Sequence, residues 1–323
     1  MDSLLRKTLI ANRPKLSESS ITTYLTGYKR ISKNINLPLI APMDFSINID
    51  KIIDYCKTLS LNKRRSIIAS IISLIKVPEP GKDLQRVIER YSTELATIAD
   101  ELNQEENEQE MSEKQKEAYL PWPDILEIYS RLKAQAEPLW KIKEDYITAD
   151  IFEILQYYVL LSCYVLIPPR RSQDYTMFKI RNFDKEFTSK DNYMIEIKQK
   201  PYFVFNTYKN ASRLGPQKFE IPLELKQIIK KWMKVNDGDY LLLNSKKRNI
   251  PVNRINKMLY NIFKRNIGAS LLRHSYLTHN FGNVNLADLE KTTQQMGSSS
   301  INRILKYVDK SKAKEESEKI ESP

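Results

Sequence analysis

Glycine is scarce, with 7 in 323 residues, where ordinary usage is about 7%. That excludes a glycine-rich phosphate loop, and neither a Walker nor a dinucleotide fingerprint is present. Cysteine and histidine are scarcer still, limited to Cys56, Cys163, His274 and His279. Two thiols in so long a chain exclude a disulfide scaffold and a cysteine-rich zinc site, and two histidines exclude a His-rich metal centre. No metal and no cofactor is therefore expected. No run approaches the ~20 apolar residues that a membrane span needs, so no membrane partner is expected. The opening MDSLLRKTLIANRP has neither a long apolar stretch nor a small-residue cleavage site, so it is not read as a secretory signal and the protein is expected to be intracellular.

Positive charge is abundant and unevenly spread. Lys+Arg number 52 against 40 Asp+Glu, a formal net of +12. Residues 100–117 (DELNQEENEQEMSEKQKE) hold eight acids and two bases, a net of −6, so the rest of the chain carries +18. This acidic segment is almost free of apolar residues and reads as a solvated linker or an extended helical bridge. At roughly 150 residues per domain the length suggests two domains. The expected division is a helical domain 1–99, a linker 100–118, a second domain 119–308 and a charged tail 309–323. An excess of +18 on two folded pieces points to a polyanion as partner, while the plainer alternative is a basic, soluble chain.

The first piece reads as all helix. Ser17 is a favoured N-cap, and Ile21, Tyr24, Leu25, Tyr28, Ile31 and Ile35 follow at helical spacing. Asp50–Leu59 predicts a second helix, Ser60 can cap a third that buries Ile67, Ile68, Ile71, Ile72 and Ile75, and a fourth follows Pro80. Lys63, Arg64 and Arg65 open the third helix. Cations there oppose the helix macrodipole, a cost that a phosphate partner would offset. They are the candidate contacts to a nucleic acid, against the alternative of a solvated basic turn.

The second piece is mainly α with a small three-stranded β-sheet. Pro123 opens a helix. The block 147–166 is apolar nearly all round and predicts a central buried helix ended by Pro168 and Pro169. Tyr193–Ile197, Tyr202–Asn206 and Lys218–Ile221 are short, aromatic or β-branched, and predict the three strands. Tyr240–Leu243 reads as a short strand or an extended piece. Helices are predicted over Leu223–Met233, Pro251–Phe263 and Ser270–Phe281, and a last one is capped by Ser299 or Ser300.

Two segments sit oddly in such a core. In GASLLRHSYLTHN, 268–280, Arg273 lies one turn into a largely apolar helix, next to His274. A buried guanidinium needs an anion, either a carboxylate or a phosphate. In QMGSSSINRILKYVDK, 295–310, Ile301, Ile304, Leu305 and Val308 form one helical stripe, and Tyr307 falls to its side beside Arg303. Taken alone, that tyrosine is an ordinary flank residue with its hydroxyl in water.

Together these segments resemble the tyrosine recombinases, the phage-integrase family. The family's first box is an Arg with an acid three residues on, after an apolar helix. PPRRSQDY supplies Arg171 and Asp174, with Arg170 as the rival. The second box, H-x-x-R, is matched by SLLRH, with Arg273 and His274, and with Ser270 in place of the first His or Lys. In the third, Met296 and Gly297 begin a Leu-Gly-His-Ser-like turn, Ser298 stands at the His/Trp position, and the tyrosine eleven residues after Met296 is Tyr307. A catalytic lysine between the second and third strands would be Lys209, with Lys200 and Lys218 as rivals. The helical first piece resembles the family's core-binding domain, so the likeness covers nearly the whole chain.

The resemblance implies a site-specific DNA recombinase or integrase, of a virus or mobile element, that cleaves and rejoins strands through a 3′-phosphotyrosyl link. Its partners would be double-stranded DNA and three further copies of itself, a homo-tetramer on two paired sites. Arg171 and Arg273 would clamp the phosphate, Tyr307 would be the nucleophile and Lys209 the general acid. Ser270, His274 and Ser298 would be accessory. Serine donates a hydrogen bond but does not titrate near neutrality, so the two serines depart from the family's pattern. Two alternatives follow: type IB topoisomerase-like relaxation, which uses the same residue set, and a catalytically degenerate DNA-binding protein of the same fold. The compartment stays open between host nucleus and a viral or cytoplasmic DNA compartment.

Overall fold

The structure is a computed structural model that describes residues 2–77, 80–107, 113–185, 189–281 and 292–297. The chain divides into two compact units, 1–110 and 111–323. The division falls inside the acidic segment.

The first unit is helical: α1 (Asp2–Asn12), α2 (Glu18–Asn34), α3 (Pro42–Ile47), α4 (Ile49–Lys57), α5 (Leu61–Ile75) and α6 (Lys82–Asn107). Helix α2 starts where Ser17 Oγ accepts from the Ser20 amide at 3.2 Å. Its stripe of Ile21, Leu25, Tyr28 and Ile31 is buried, as are Ile68, Ile71 and Leu74 of α5. Two phenols cross this core and satisfy their polar ends on main chain: Tyr28 donates to the Ser70 carbonyl and Tyr91 to that of Phe45, both at 2.8 Å. Ser60 occupies the N-cap position of α5 but makes no capping bond with its side chain.

Helices α1 and α3 were not predicted. The first is held by Leu5 and Leu9, which are fully buried. The second starts where the Asp44 carboxylate accepts from the Ile40 and Ala41 amides, both at 2.7 Å. Helix α6 runs on to Asn107, so the start of the acidic segment takes the helical alternative rather than that of a solvated linker.

The second unit begins with α7 (Glu113–Ala118), α8 (Trp122–Leu139) and α9 (Ala149–Val165). Thr148 caps α9. This helix is the buried centre expected of its all-round apolarity, with Leu155 and Tyr158 to Tyr164 out of solvent, and it packs against α8 and two later helices. After Pro168 and Pro169 come α10 (Ser172–Tyr175) and a sheet of four strands, not the three predicted: β1 (Phe178–Lys179), β2 (Asn192–Ile197), β3 (Lys200–Phe205) and β4 (Gln217–Glu220), in spatial order 1-2-3-4. Strand β1 is only two residues long and pairs parallel to β2, so it leaves no periodic pattern to read. The others pair antiparallel, with Phe205 opposite Gln217 at the end of the β3–β4 ladder. Between those two residues runs a loop that contains α11 (Ala211–Leu214).

Helices α12 (Leu223–Val235), α13 (Val252–Phe263) and α14 (Ala269–Phe281) complete the described elements, with a helical turn over 292–295. Tyr240 joins Lys179 in a single antiparallel bridge rather than a strand. The buried amide of Gln156 on α9 pins this stretch, accepting from the Leu243 amide at 2.7 Å and donating to the Leu243 carbonyl at 3.2 Å. No helix among the described residues is long and apolar enough to cross a membrane.

Candidate active site

Four parts of the second unit meet at one place. Pro168 and Pro169 stop α9 and turn the chain so that Arg170 and Arg171 enter α10, with Arg171 at its N-cap. The β3–β4 ladder brings the Phe205 ring and the Gln217 amide to the same end of the sheet. Their loop holds Tyr208, Lys209 and Asn210. Helix α14 supplies Arg273 from its second turn, and the turn after 292–295 ends at Gly297.

Arg170 is the most enclosed of these groups, at 0% exposed. Its Nε donates to Asp174 Oδ2 at 2.8 Å, within a pair whose two side chains are both out of solvent. The guanidinium lies over the Phe205 ring, 3.8 Å from its centroid. Its Nη1 donates to Gln217 Oε1 at 3.0 Å and to the Gln295 carbonyl at 2.5 Å. Its Nη2 has no hydrogen-bond partner among the described residues, nor has Asp174 Oδ1. Burial pushes the Asp174 carboxyl up, and Arg170, Arg171 and Arg273 pull against it.

Three further donors reach the same turn. Arg171 Nη1 donates to the Gly297 carbonyl at 3.0 Å, and Asn210 Nδ2 to the same oxygen at 2.8 Å. Arg273, 3% exposed, donates from Nη1 to the Met296 carbonyl at 3.2 Å. Three arginines thus hold three successive carbonyl oxygens. Gly297 sits at φ +63°, and a Cβ there would lie 2.6 Å from Arg170 Nη2. The arrangement is a donor-rich corner: guanidinium and amide donors converge, Asp174 is paired with Arg170, and the open buried Nη2 of Arg170 carries a desolvation cost until an acceptor arrives.

The sequence-predicted residues fall out unevenly. Arg171 and Arg273 come together on the turn. Lys209 is exposed on the loop beside Asn210, with no ion pair or hydrogen bond to its side chain among the described residues. Of its rivals, Lys200 pairs with Glu220 at 3.1 Å and Lys218 lies over the Tyr202 ring. Ser270 is exposed in the first turn of α14, which starts at Ala269. His274 is half-buried and, being next in a helix, leaves its axis about 100° away from Arg273. Ser298 and Tyr307 lie outside the described residues. The reason given for Arg171 over Arg170, an acid three residues on, is not what the fold uses: Asp174 bonds Arg170, one helical turn away. Sequence reasoning missed Asn210 and Gln217, because their role depends on strand register and a contact across 77 residues, from Gln217 Nε2 to the Gln294 carbonyl at 2.9 Å.

In the first unit the basic triplet is split. Lys63 and Arg65 are exposed, and Lys63 lines a groove of about 310 Å³ with Arg30, Thr22, Thr26 and Ser66. Arg64 turns inward, bonding Glu94 through Nε at 2.8 Å and lying 3.7 Å from Glu101. Two carboxylates, not a phosphate, offset its unfavourable place at the helix start.

No family model matches the sequence, and no curated protein matches it. Solved structures do match in fold. A lambda integrase dimer bound to a COC′ core site shares 12% identity over 94% of this chain and 93% of that one, with a TM-score of 0.52. XerH site-specific recombinase bound to difH substrate, in a pre-cleavage complex, shares 14% identity over 89% of this chain and 76% of that one, also at 0.52. With an arginine-lined corner at the end of the small sheet and matches that run through both units, the chain is built on the tyrosine recombinase fold.

Proposed function

We propose that this protein is a site-specific DNA recombinase or integrase, serving a virus or mobile element, that breaks and rejoins strands through a 3′-phosphotyrosyl intermediate. The observation that carries the reading is the convergence of Arg170, Arg171 and Arg273 on the turn at 295–297, ten residues before Tyr307. A phosphodiester is a poor electrophile because it is already negative. Arg171 and Arg273 would hold its non-bridging oxygens and stabilise the charge that grows at phosphorus in the transition state. Arg170 would add its open Nη2.

Tyr307 would attack phosphorus as the 5′ oxygen leaves, and the phenolic proton is given up to the surroundings. A cationic site lowers the cost of forming phenolate from a group whose ordinary pKa is about 10. Lys209 would protonate the leaving 5′ oxygen. The reverse attack by a 5′-hydroxyl of the partner strand restores the diester, so neither ATP nor a metal is consumed. Ser270, His274 and Ser298 are accessory in this scheme. Lys63 and Arg65 would contact DNA phosphates from the first unit. Strand exchange between two duplexes calls for a homo-tetramer on two paired sites.

The test is covalent trapping of wild-type and Tyr307→Phe protein on a randomised library of nicked, labelled duplexes, followed by denaturing gels. A protease-sensitive, slow DNA band with wild type alone is the expected result. Recovery of one sequence from that band supports recombination, and recovery of every sequence points to topoisomerase-like relaxation. Salt-sensitive binding with no band from either protein overturns the enzyme reading in favour of a degenerate DNA-binding protein.

A further inference from the structure

We infer that Gln217 is a positioning residue that aims Arg170 at the scissile phosphate and ties it to the turn leading to Tyr307. The inference rests on the reading of the site proposed above. Gln217 stands directly opposite Phe205 in the β3–β4 ladder. Residues opposite each other in a ladder share a face of the sheet. Phe205 therefore supports the Arg170 guanidinium from below while Gln217 reaches it from the side.

The amide uses both of its ends. Oε1 accepts from Arg170 Nη1 at 3.0 Å, and Nε2 donates to the Gln294 carbonyl at 2.9 Å. A guanidinium only donates and a carbonyl only accepts, so one amide orientation satisfies both. Gln217 is thus a two-ended clasp between the buried arginine and the helical turn over 292–295. An amide of this length offers an acceptor and a donor, uncharged, on one rigid plane.

The charge of the residue matters as much as its shape. Arg170 already shares its charge with Asp174 in a fully buried pair. A glutamate at 217 would accept from Arg170 but bring a second negative charge to it, and it would repel the Gln294 carbonyl. An amide fixes the guanidinium without spending its remaining charge, which is what a negative diester needs from it. Asn210 makes a one-ended contact by comparison among the described residues, donating to the Gly297 carbonyl.

The experiment uses the full chain with Gln217→Met, which keeps the volume and removes both hydrogen bonds, and Gln217→Glu, which keeps the acceptor and adds charge. DNA affinity, single-turnover adduct formation on the duplex recovered by trapping, and hydrogen–deuterium exchange over 292–297 are measured for each. Affinity is expected within about threefold of wild type, and adduct formation is expected to fall roughly 10- to 100-fold, as for loss of one charge-stabilising contact. Exchange over 292–297 is expected to quicken in both variants.

The decisive readout is a duplex with a methylphosphonate at the cleaved position. It carries no negative charge there, so the aim of Arg170 matters less and the defect should shrink to within threefold. Wild-type rates in Gln217→Met, or an equal defect on both duplexes, overturn the inference. If wild type itself forms no adduct, the strand-cleavage reading fails. Exchange then decides the clasp alone: unchanged rates over 292–297 overturn it, and faster rates uphold it.

Discussion

Gly297 cannot carry a side chain where it stands. Its φ of +63° is strained for any L-residue with a Cβ, and that atom would lie 2.6 Å from Arg170 Nη2. Gly297→Ala is expected to cost about 1–3 kcal/mol of stability and to displace the turn whose carbonyls the arginines hold. A melting curve checks the first effect. The second should appear as a loss of adduct formation larger than the loss of DNA affinity. The two thiols are the opposite case, residues without access to anything. Cys56 and Cys163 are both fully buried, and burial pushes the Cys56 thiol up to about 12 and Cys163 higher still. The raised pKa keeps both protonated at pH 8, and only thiolate reacts. A thiol reagent at that pH should therefore titrate no cysteine in the native protein and two in denaturant.

Element by element, the positive charge of α5 is divided, with Lys63 and Arg65 exposed and Arg64 paired inward with Glu94. Lys63→Ala should leave the melting temperature unchanged and reduce the slope of log affinity against log salt by about one, as for a lost phosphate contact. Arg64→Ala should instead cost about 1–3 kcal/mol, since it strands Glu94 in a largely buried pair. The same salt titration on the two variants separates contact from scaffold. If Arg64→Ala proves stable while losing a unit of slope, its inward pairing does not hold in solution. Helix α2 depends on tertiary contacts in the same way: Tyr28→Phe removes the bond that ties it to the Ser70 carbonyl, worth about 1 kcal/mol. Denaturant unfolding should show that difference in midpoint without a change in slope.

At the scale of the molecule, each unit has its own apolar core. One is gathered around α2 and α5, and the other around α9. Pieces spanning 1–110 and 111–323 are each expected to unfold cooperatively when made separately, as cores of this kind allow. Circular dichroism during heating would show it, and a non-cooperative melt from either piece would mean that its core is incomplete without the other. The division falls within the acidic segment, where Leu102 still belongs to the first core.

Much of this was legible in the residues themselves. The stripes of α2 and α5 predict buried faces that the first unit contains, and the nearly all-round apolarity of 147–166 predicts a central helix, of which Tyr158 to Tyr164 are out of solvent. Such patterns are local, since each position repeats with the period of its own element. The two-residue strand β1 and the short α3 left no repeat to read, so they came only with the fold. The order of arginine, lysine, arginine and tyrosine was readable because it is a matter of spacing along the chain. What spacing could not decide was which of Arg170 and Arg171 meets Asp174, that Arg64 faces inward, or that Gln217 stands beside a guanidinium 47 residues away. Those outcomes depend on strand register and on which face of a helix a neighbour covers. Both are settled only when distant segments exclude water between them, and no stretch of sequence carries that information alone.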